Sequence, residues 1–243
     1  MDSIYPVVSG AVAFEKRLDI IANNLANVNT TGFKKSFAVF SGVTNAGEPD
    51  NPIAFGTFDQ VLTDFSAGAV RQTGSPLDIA IQGDGFFAIQ TPDGVRYTRN
   101  GSFSLNDQGQ MVTANGYPVL GAGGPVSLPQ GQVTIDADGH IFVTGTEVNA
   151  QPAEADILQV STPTNRAAMS PVGNSLYEAG SDAGITTGDG RFVQGALEGS
   201  NVNPVEEMVS MIQVMRLYEA AQKSIQTADE AASKASSDVG KLS

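Results

Sequence analysis

The glycines of this chain are confined to its middle. Of the 27, all but Gly10 and Gly240 fall within residues 32–199. Glycine supplies positive φ in turns and weakens helices, so the middle reads as turn-rich β and the two ends are free to be helical. At the N-terminal end, Ile4, Val7, Ala11, Phe14, Leu18, Ile21, Leu25 and Val28 recur at alternating spacings of three and four, an unbroken heptad seam. The helix is expected to start near Ser3, capped by Asp2 or Ser3, and to stop near Thr30–Gly32 with Gly32 as its C′ residue. At the other end, Asn203 is the expected N-cap and Pro204 the first helical residue. Glu206 and Glu207 then face the positive end of the helix dipole. Its apolar stripe begins Val205, Met208, Val209, Ile212, Met215 and continues through Tyr218, Ala221 and Ile225, thinning to alanine.

Between the helices, residues 35–70 are expected to be irregular extended structure, with a long hairpin as one form of it, and Asn45–Pro52 is a loop by composition. From 75 to 195 the reading is all-β. Leu77, Ile79 and Ile81 alternate with polar or small residues, and turn signals at Asp93-Gly94, Asn106–Gly109, Asn115-Gly116 and Asp138-Gly139 separate short apolar runs. Short antiparallel strands at this spacing suggest a small barrel or sandwich.

Composition narrows the function. A formal net charge of −13 disfavours nucleic acid and anionic lipid. Cysteine is absent, which removes disulfides, thiolate zinc sites and a thiol nucleophile. The start MDSIYPVVSG has neither a basic n-region nor an apolar h-region, so no cleaved secretory signal is expected. No apolar run approaches the roughly 18 residues that span a bilayer, so no direct membrane insertion is expected.

Catalytic, cofactor and metal residues are all read as none. The single histidine, His140, follows the Asp138-Gly139 turn and is read as a solvated turn residue without the partner a general base needs. Asp136 and Asp138 lack the later ligands of a calcium loop and are read as turn formers. Gly83-Asp84-Gly85 and Gly121–Gly124 precede no GK[ST] and open no helix, so they are turns or bulges. Asn23, Asn24, Asn27 and Asn29 crowd the end of the first helix, where asparagine is a poor helix former. Two readings stand: a fraying end with solvated amides, or amides that bond a neighbouring chain and fix packing register.

Four motifs carry a resemblance. RLDIIANNLANVNTTGFKK (Arg17–Lys35), TGSPLDIAIQGDGFFAI (Thr73–Ile89), YTRNGSF (Tyr97–Phe103) and GALEGSNVNPVEEMVSMI (Gly195–Ile212) occur in the order found in the flagellar rod and hook protein family, and the chain resembles that family's basal-body rod members. The segment GGPVSLPQGQVTIDADGHI and the Asn-Val-Asn-Pro-Val-Glu start of the last helix look like the proximal-rod type, with the distal-rod type close behind. The resemblance implies an α+β fold. Residues 1–34 plus 203–243 would pair as a coiled coil, 35–74 plus 190–202 would be extended connections, and 75–189 an outward-facing all-β domain inserted between the helices.

It also implies a structural, non-enzymatic subunit of the rod, exported by the flagellar type III apparatus. Its partners would be itself, other rod proteins, that apparatus and the surrounding ring proteins, without cofactor. The assembly seam would then be Ile4, Val7, Ala11, Phe14, Leu18, Ile21, Leu25 and Val28 with Val205, Met208, Ile212 and Met215. A cell-wall hydrolase and a β adhesin with helical stalks are the competing classes. The first lacks the pair of carboxylates in one cleft that glycoside hydrolysis needs.

Overall fold

The computed structural model describes residues 4–44, 54–145, 147 and 151–239. The architecture is α+β. The chain runs α1 (Ile4–Ala26), β1 (Ser36–Thr44), β2 (Ala54–Thr63), β3 (Val70–Gln72), β4 (Ile79–Gln82), β5 (Phe87–Thr91), β6 (Gly94–Thr98), β7 (Ser104–Leu105) and β8 (Met111–Val112). It continues through β9 (Val119–Gly121), β10 (Gly124–Pro125), β11 (Gln132–Ile135), β12 (His140–Thr144), β13 (Ala153–Ile157) and β14 (Ser161–Pro163). The last elements are β15 (Met169–Gly173), β16 (Leu176–Ala179), β17 (Ile185–Thr187), β18 (Arg191–Gln194), β19 (Ala196–Glu198) and α2 (Pro204–Val239).

Two compact units result. The helical unit holds residues 1–26, 36–62 and 203–243, and the β unit holds 27–35 and 63–202. In the helical unit, α1 packs against α2 and against β1. β1 and β2 pair as a two-stranded sheet, regular strands where irregular extended structure was expected. Phe40 and Phe58 meet across it edge to face with centroids 6.2 Å apart. The loop expected at Asn45–Pro52 and the cap expected at Asp2 or Ser3 lie outside the described residues.

The first helix ends earlier than its periodicity suggests, at Ala26 rather than near Gly32. Asn27 explains the difference. Its carbonyl accepts from Thr30 N at 3.1 Å, and its side-chain oxygen accepts from Thr30 Oγ1 at 3.1 Å. These local bonds give the backbone an alternative to another helical turn. Gly32 does have positive φ, 68°, but as part of the β unit rather than as a helix cap. The second helix starts as expected: Asn203 Oδ1 accepts from Val205 N at 3.1 Å, and Pro204 is the first helical residue.

The β unit contains a six-stranded sheet in the order β10-β9-β5-β6-β16-β15, a three-stranded sheet β11-β12-β13, and four two-stranded ladders, β14–β17, β18–β4, β19–β3 and β7–β8. These ladders are antiparallel. Among the described residues none of the strand orders closes on itself; where strand spacing suggested a small barrel or sandwich, the structure has short sheets joined by isolated bridges such as Phe86–Ser161 and Gly121–Leu158. Strands of two to five residues are too short to wrap a barrel, and the glycine turns redirect the chain before one can develop. The strands instead surround one core, built on Ile79, Ile89, Met111, Val119, Val126, Ile141 and Leu158. Phe87 meets Phe103 edge to face in it, centroids 5.0 Å apart. A second cluster joins Phe65, Phe86, Met169, Tyr177 and Ala183. Two of the expected hairpins are β5–β6 around Asp93-Gly94 and β11–β12 around Asp138-Gly139. In the latter, Asp136 Oδ1 accepts from Asp138 N and His140 N at 3.0 and 2.9 Å, a side-chain-built turn.

Candidate assembly surface and a buried ion cluster

On α1 the heptad seam faces inward. Ala11 and Ile21 are buried, and Val7, Phe14, Leu18 and Leu25 are half-buried. The side chain of Ile4 lies outside the described residues. Val28 falls beyond the helix, in the β unit, where with Asn29, Thr31, Ala69, Arg71 and Leu197 it lines a groove of about 400 Å³.

On α2 the structure picks a different stripe from the one that opens the periodic pattern. Glu207 and Val214 are buried, and Met211, Tyr218, Ala221 and Ile225 are half-buried, again at heptad spacing. Val205, Met208, Ile212 and Met215 are 63%, 46%, 53% and 47% exposed. Through residues 205–217 the helix is apolar at most positions, so periodicity alone offers two stripes there. The choice is made by a polar contact. Asn24, buried on α1, donates from Nδ2 to Glu207 Oε2 at 3.3 Å and to Ser36 O at 2.8 Å, and its Oδ1 accepts from Ser36 N at 2.9 Å. Turning α2 to bury Ile212 would expose Glu207 and strand this amide. Glu207 is therefore a buried packing residue, not only a helix-start charge, whereas Glu206 is exposed. Of the asparagine cluster, Asn24 is engaged within the chain, Asn27 is half-buried at the turn described above, and Asn23 and Asn29 are exposed.

The result is an α2 whose first turns show solvent a second apolar face: Val205, Met208, Val209, Ile212 and Met215. On α1, Val8 and Val12 are exposed as well, at 41% and 49%. Apolar side chains gathered in this way mark a surface meant for a partner.

The β unit holds a feature that sequence reasoning missed. Glu198 is 1% exposed, and both carboxylate oxygens are used. Oε1 accepts from Lys34 Nζ at 2.6 Å and from Gly68 N at 2.8 Å, and Oε2 accepts from Arg99 at 3.3 Å. Lys34 also donates to Ser66 O at 2.6 Å, and Arg99 donates to Ile81 O at 3.1 Å and Gly83 O at 2.6 Å. The guanidinium lies 5.5 Å from the Phe86 ring centroid. Burial pulls the Lys34 ammonium below the ordinary lysine range, with Glu198 opposing that shift, and acts on Arg99 in the same direction. Two cations thus share one carboxylate, and backbone carbonyls absorb the excess positive charge.

Lys34, Arg99 and Glu198 come from three of the four sequence motifs, so segments far apart in the chain meet at one carboxylate. The available signal was an ionisable residue set among apolar and glycine neighbours, as in Thr-Gly-Phe-Lys and Ala-Leu-Glu-Gly, where a solvated face is not expected.

His140, the lone histidine, sits at the start of β12 and pairs through Nδ1 with Glu154 at 2.6 Å. That hydrogen bond, with smaller contributions from Asp136 and Asp138, raises its pKa above the usual value. Among the described residues there is no cluster of three or more potential metal ligands, and no helix is long and apolar enough to cross a membrane.

Sequence comparison matches this layout segment by segment. The family model described as flagella basal body rod protein matches residues 4–34, the flagellar hook protein FlgE/F/G D1 domain matches 80–143, and the flagellar basal body rod FlgEFG protein C-terminal model matches 193–238. The flagellar basal-body rod protein FlgG of Borreliella burgdorferi is 38% identical over 253 residues, covering 94% of this chain and 95% of that protein. FlgG of Bacillus subtilis is 34% identical over the same share of both chains. The flagellar basal-body rod protein FlgF of Mesorhizobium japonicum is 36% identical over 234 residues, 90% of this chain and 89% of its own. With identity at this level along nearly the whole length, the chain belongs to the FlgF/FlgG family of flagellar basal-body rod proteins.

Proposed function

We propose that this chain is a structural subunit of the bacterial flagellar basal-body rod. It polymerises through its terminal helices into the axial tube that transmits torque and serves as export channel. The observation that carries this reading is the second apolar face of α2, with Val205 and Ile212 more than half exposed in the single chain. One face of α2 meets α1, and the other is left for helices of neighbouring subunits, completing a coiled-coil-like layer. The subunit reaches the periplasmic rod through the flagellar type III apparatus, without a cleaved signal, and works beside the surrounding ring proteins. Its role is structural rather than catalytic, and the proximal-rod type is the assignment favoured by the start of α2.

A helix pair without a third layer is marginal, and beyond Ile225 α2 is rich in alanine with its described side chains exposed. The terminal helices therefore fluctuate in the free subunit and gain order on incorporation, which restrains premature self-association. Basal bodies isolated from a deletion strain test the assignment. Rods that stop at the level this subunit occupies are expected, and that level separates proximal from distal type. Full-length rods without the protein would overturn the reading.

A further inference from the structure

We infer that the Glu198 cluster is a latch that keeps loss of order in the helical ends from spreading into the β unit. The inference rests on the reading that the helices gain order from neighbouring subunits. The β unit begins at Asn27 and ends at Val202. Its first and last segments are held by scattered hydrogen bonds and one short ladder rather than by long strands. Gly32 N donates to Glu198 O at 2.8 Å. Lys35 N donates to Asn201 Oδ1 at 2.7 Å, and Asn201 Nδ2 donates to Asp64 O at 2.8 Å. Among the described residues the ladder here is β3–β19, three residue pairs long and ending at Glu198 and Val70. A ladder that short would fray with the helices it leads to.

The ion cluster changes that. A buried carboxylate deprived of a partner is penalised far more than an exposed one, so a half-docked segment is disfavoured. Lys34 on one side of the chain and Glu198 on the other, 164 residues apart, therefore dock together or not at all. Arg99 anchors the carboxylate from inside the unit, where its carbonyl partners at Ile81 and Gly83 belong to β4 and the turn that follows. The frontier between ordered and fluctuating chain is thereby set at the ends of the unit instead of drifting into its core.

Hydrogen exchange on the monomeric full-length chain tests this. In the wild type, the amides of Gly32, Lys35 and Gly68 are expected to exchange at least about tenfold more slowly than those of α1. Glu198→Gln should bring these three to the rate of α1 and leave β5 and β12 unchanged. Lys34→Met keeps a one-to-one pair between Arg99 and Glu198 and so stays folded even if Glu198→Gln unfolds. It should release Gly32 and Lys35 while Gly68 stays protected. Wild-type Gly32, Lys35 and Gly68 exchanging as fast as a fast-exchanging α1 would overturn the latch, as would a loss in either variant spread evenly over β5 and β12. If α1 and α2 are themselves protected in the monomer, the reading of fluctuating helices fails. The latch is then decided by whether Lys34→Met loosens Gly32 and Lys35 selectively.

Discussion

Asn24 and Glu207, 183 residues apart, meet as an amide–carboxylate pair at 3.3 Å between α1 and α2. The same amide also satisfies both backbone groups of Ser36, so one side chain ties two helices and a strand. Asn24→Ala leaves these groups without their partner, at a cost of about 2 kcal/mol. Reduced incorporation into basal bodies is expected, with the β unit still folded. Asn29→Ala, at an exposed position, serves as the comparison and should assemble better than Asn24→Ala. Equal incorporation of the two would show that the Asn24 contact is dispensable.

The two faces of α2 give opposite phenotypes. Ile212 is 53% exposed and Val214 1% exposed. Ile212→Asp should leave stability within about 0.5 kcal/mol of wild type and abolish swimming. Val214→Asp buries an unpaired charge and should remove the helix pair itself, at a cost of at least about 2 kcal/mol. Swimming scored beside the helical content and stability of the purified subunit separates them. A motile Ile212→Asp strain would remove that face from assembly.

Two glycines respond oppositely to alanine. Gly32 has φ 68°, and a methyl there would run into the backbone of Arg99 and Asn100. Gly32→Ala should lower the denaturation midpoint of the β unit, costing about 1–3 kcal/mol. Gly10 lies inside α1 with nothing within 4 Å of an added Cβ. Gly10→Ala should raise helical content, worth about 0.5–1 kcal/mol. Circular dichroism and chemical denaturation read both.

His140 makes the β12–β13 pairing weakly pH-sensitive. Protonated, it donates to Glu154, so its folded pKa lies above the ordinary value. The extra stability is complete below about pH 6.5 and disappears as pH rises through the raised folded value. NMR titration of the chain's single histidine ring should show that pKa falling back in Glu154→Gln. An unchanged titration would show that the pair does not form in solution.

The sequence made some of this visible and hid the rest for physical reasons. The α1 seam was legible because a heptad interrupted by polar positions has one solution. The α2 facing stripe was not, because Val205, Val209, Met211, Ile212 and Val214 allow several rotations, and the choice rests on a partner 183 residues away. The hairpins at Asp93-Gly94 and Asp138-Gly139 are set by local turn chemistry and could be read locally. The end of α1 was misplaced because Gly32 offered a plausible stop while Asn27 supplied the real one. Lys34, Arg99 and Glu198 were invisible as a group, since each alone resembles a solvated charge.

The hydrogen bond from Asn201 Nδ2 to Asp64 O places the two ends of the 63–202 segment side by side. A segment entered and left at one point works as a cassette: residues can be added to or removed from its interior without altering the distance between its two ends. Its bulk can thus vary while the residues of the helical unit stay the same.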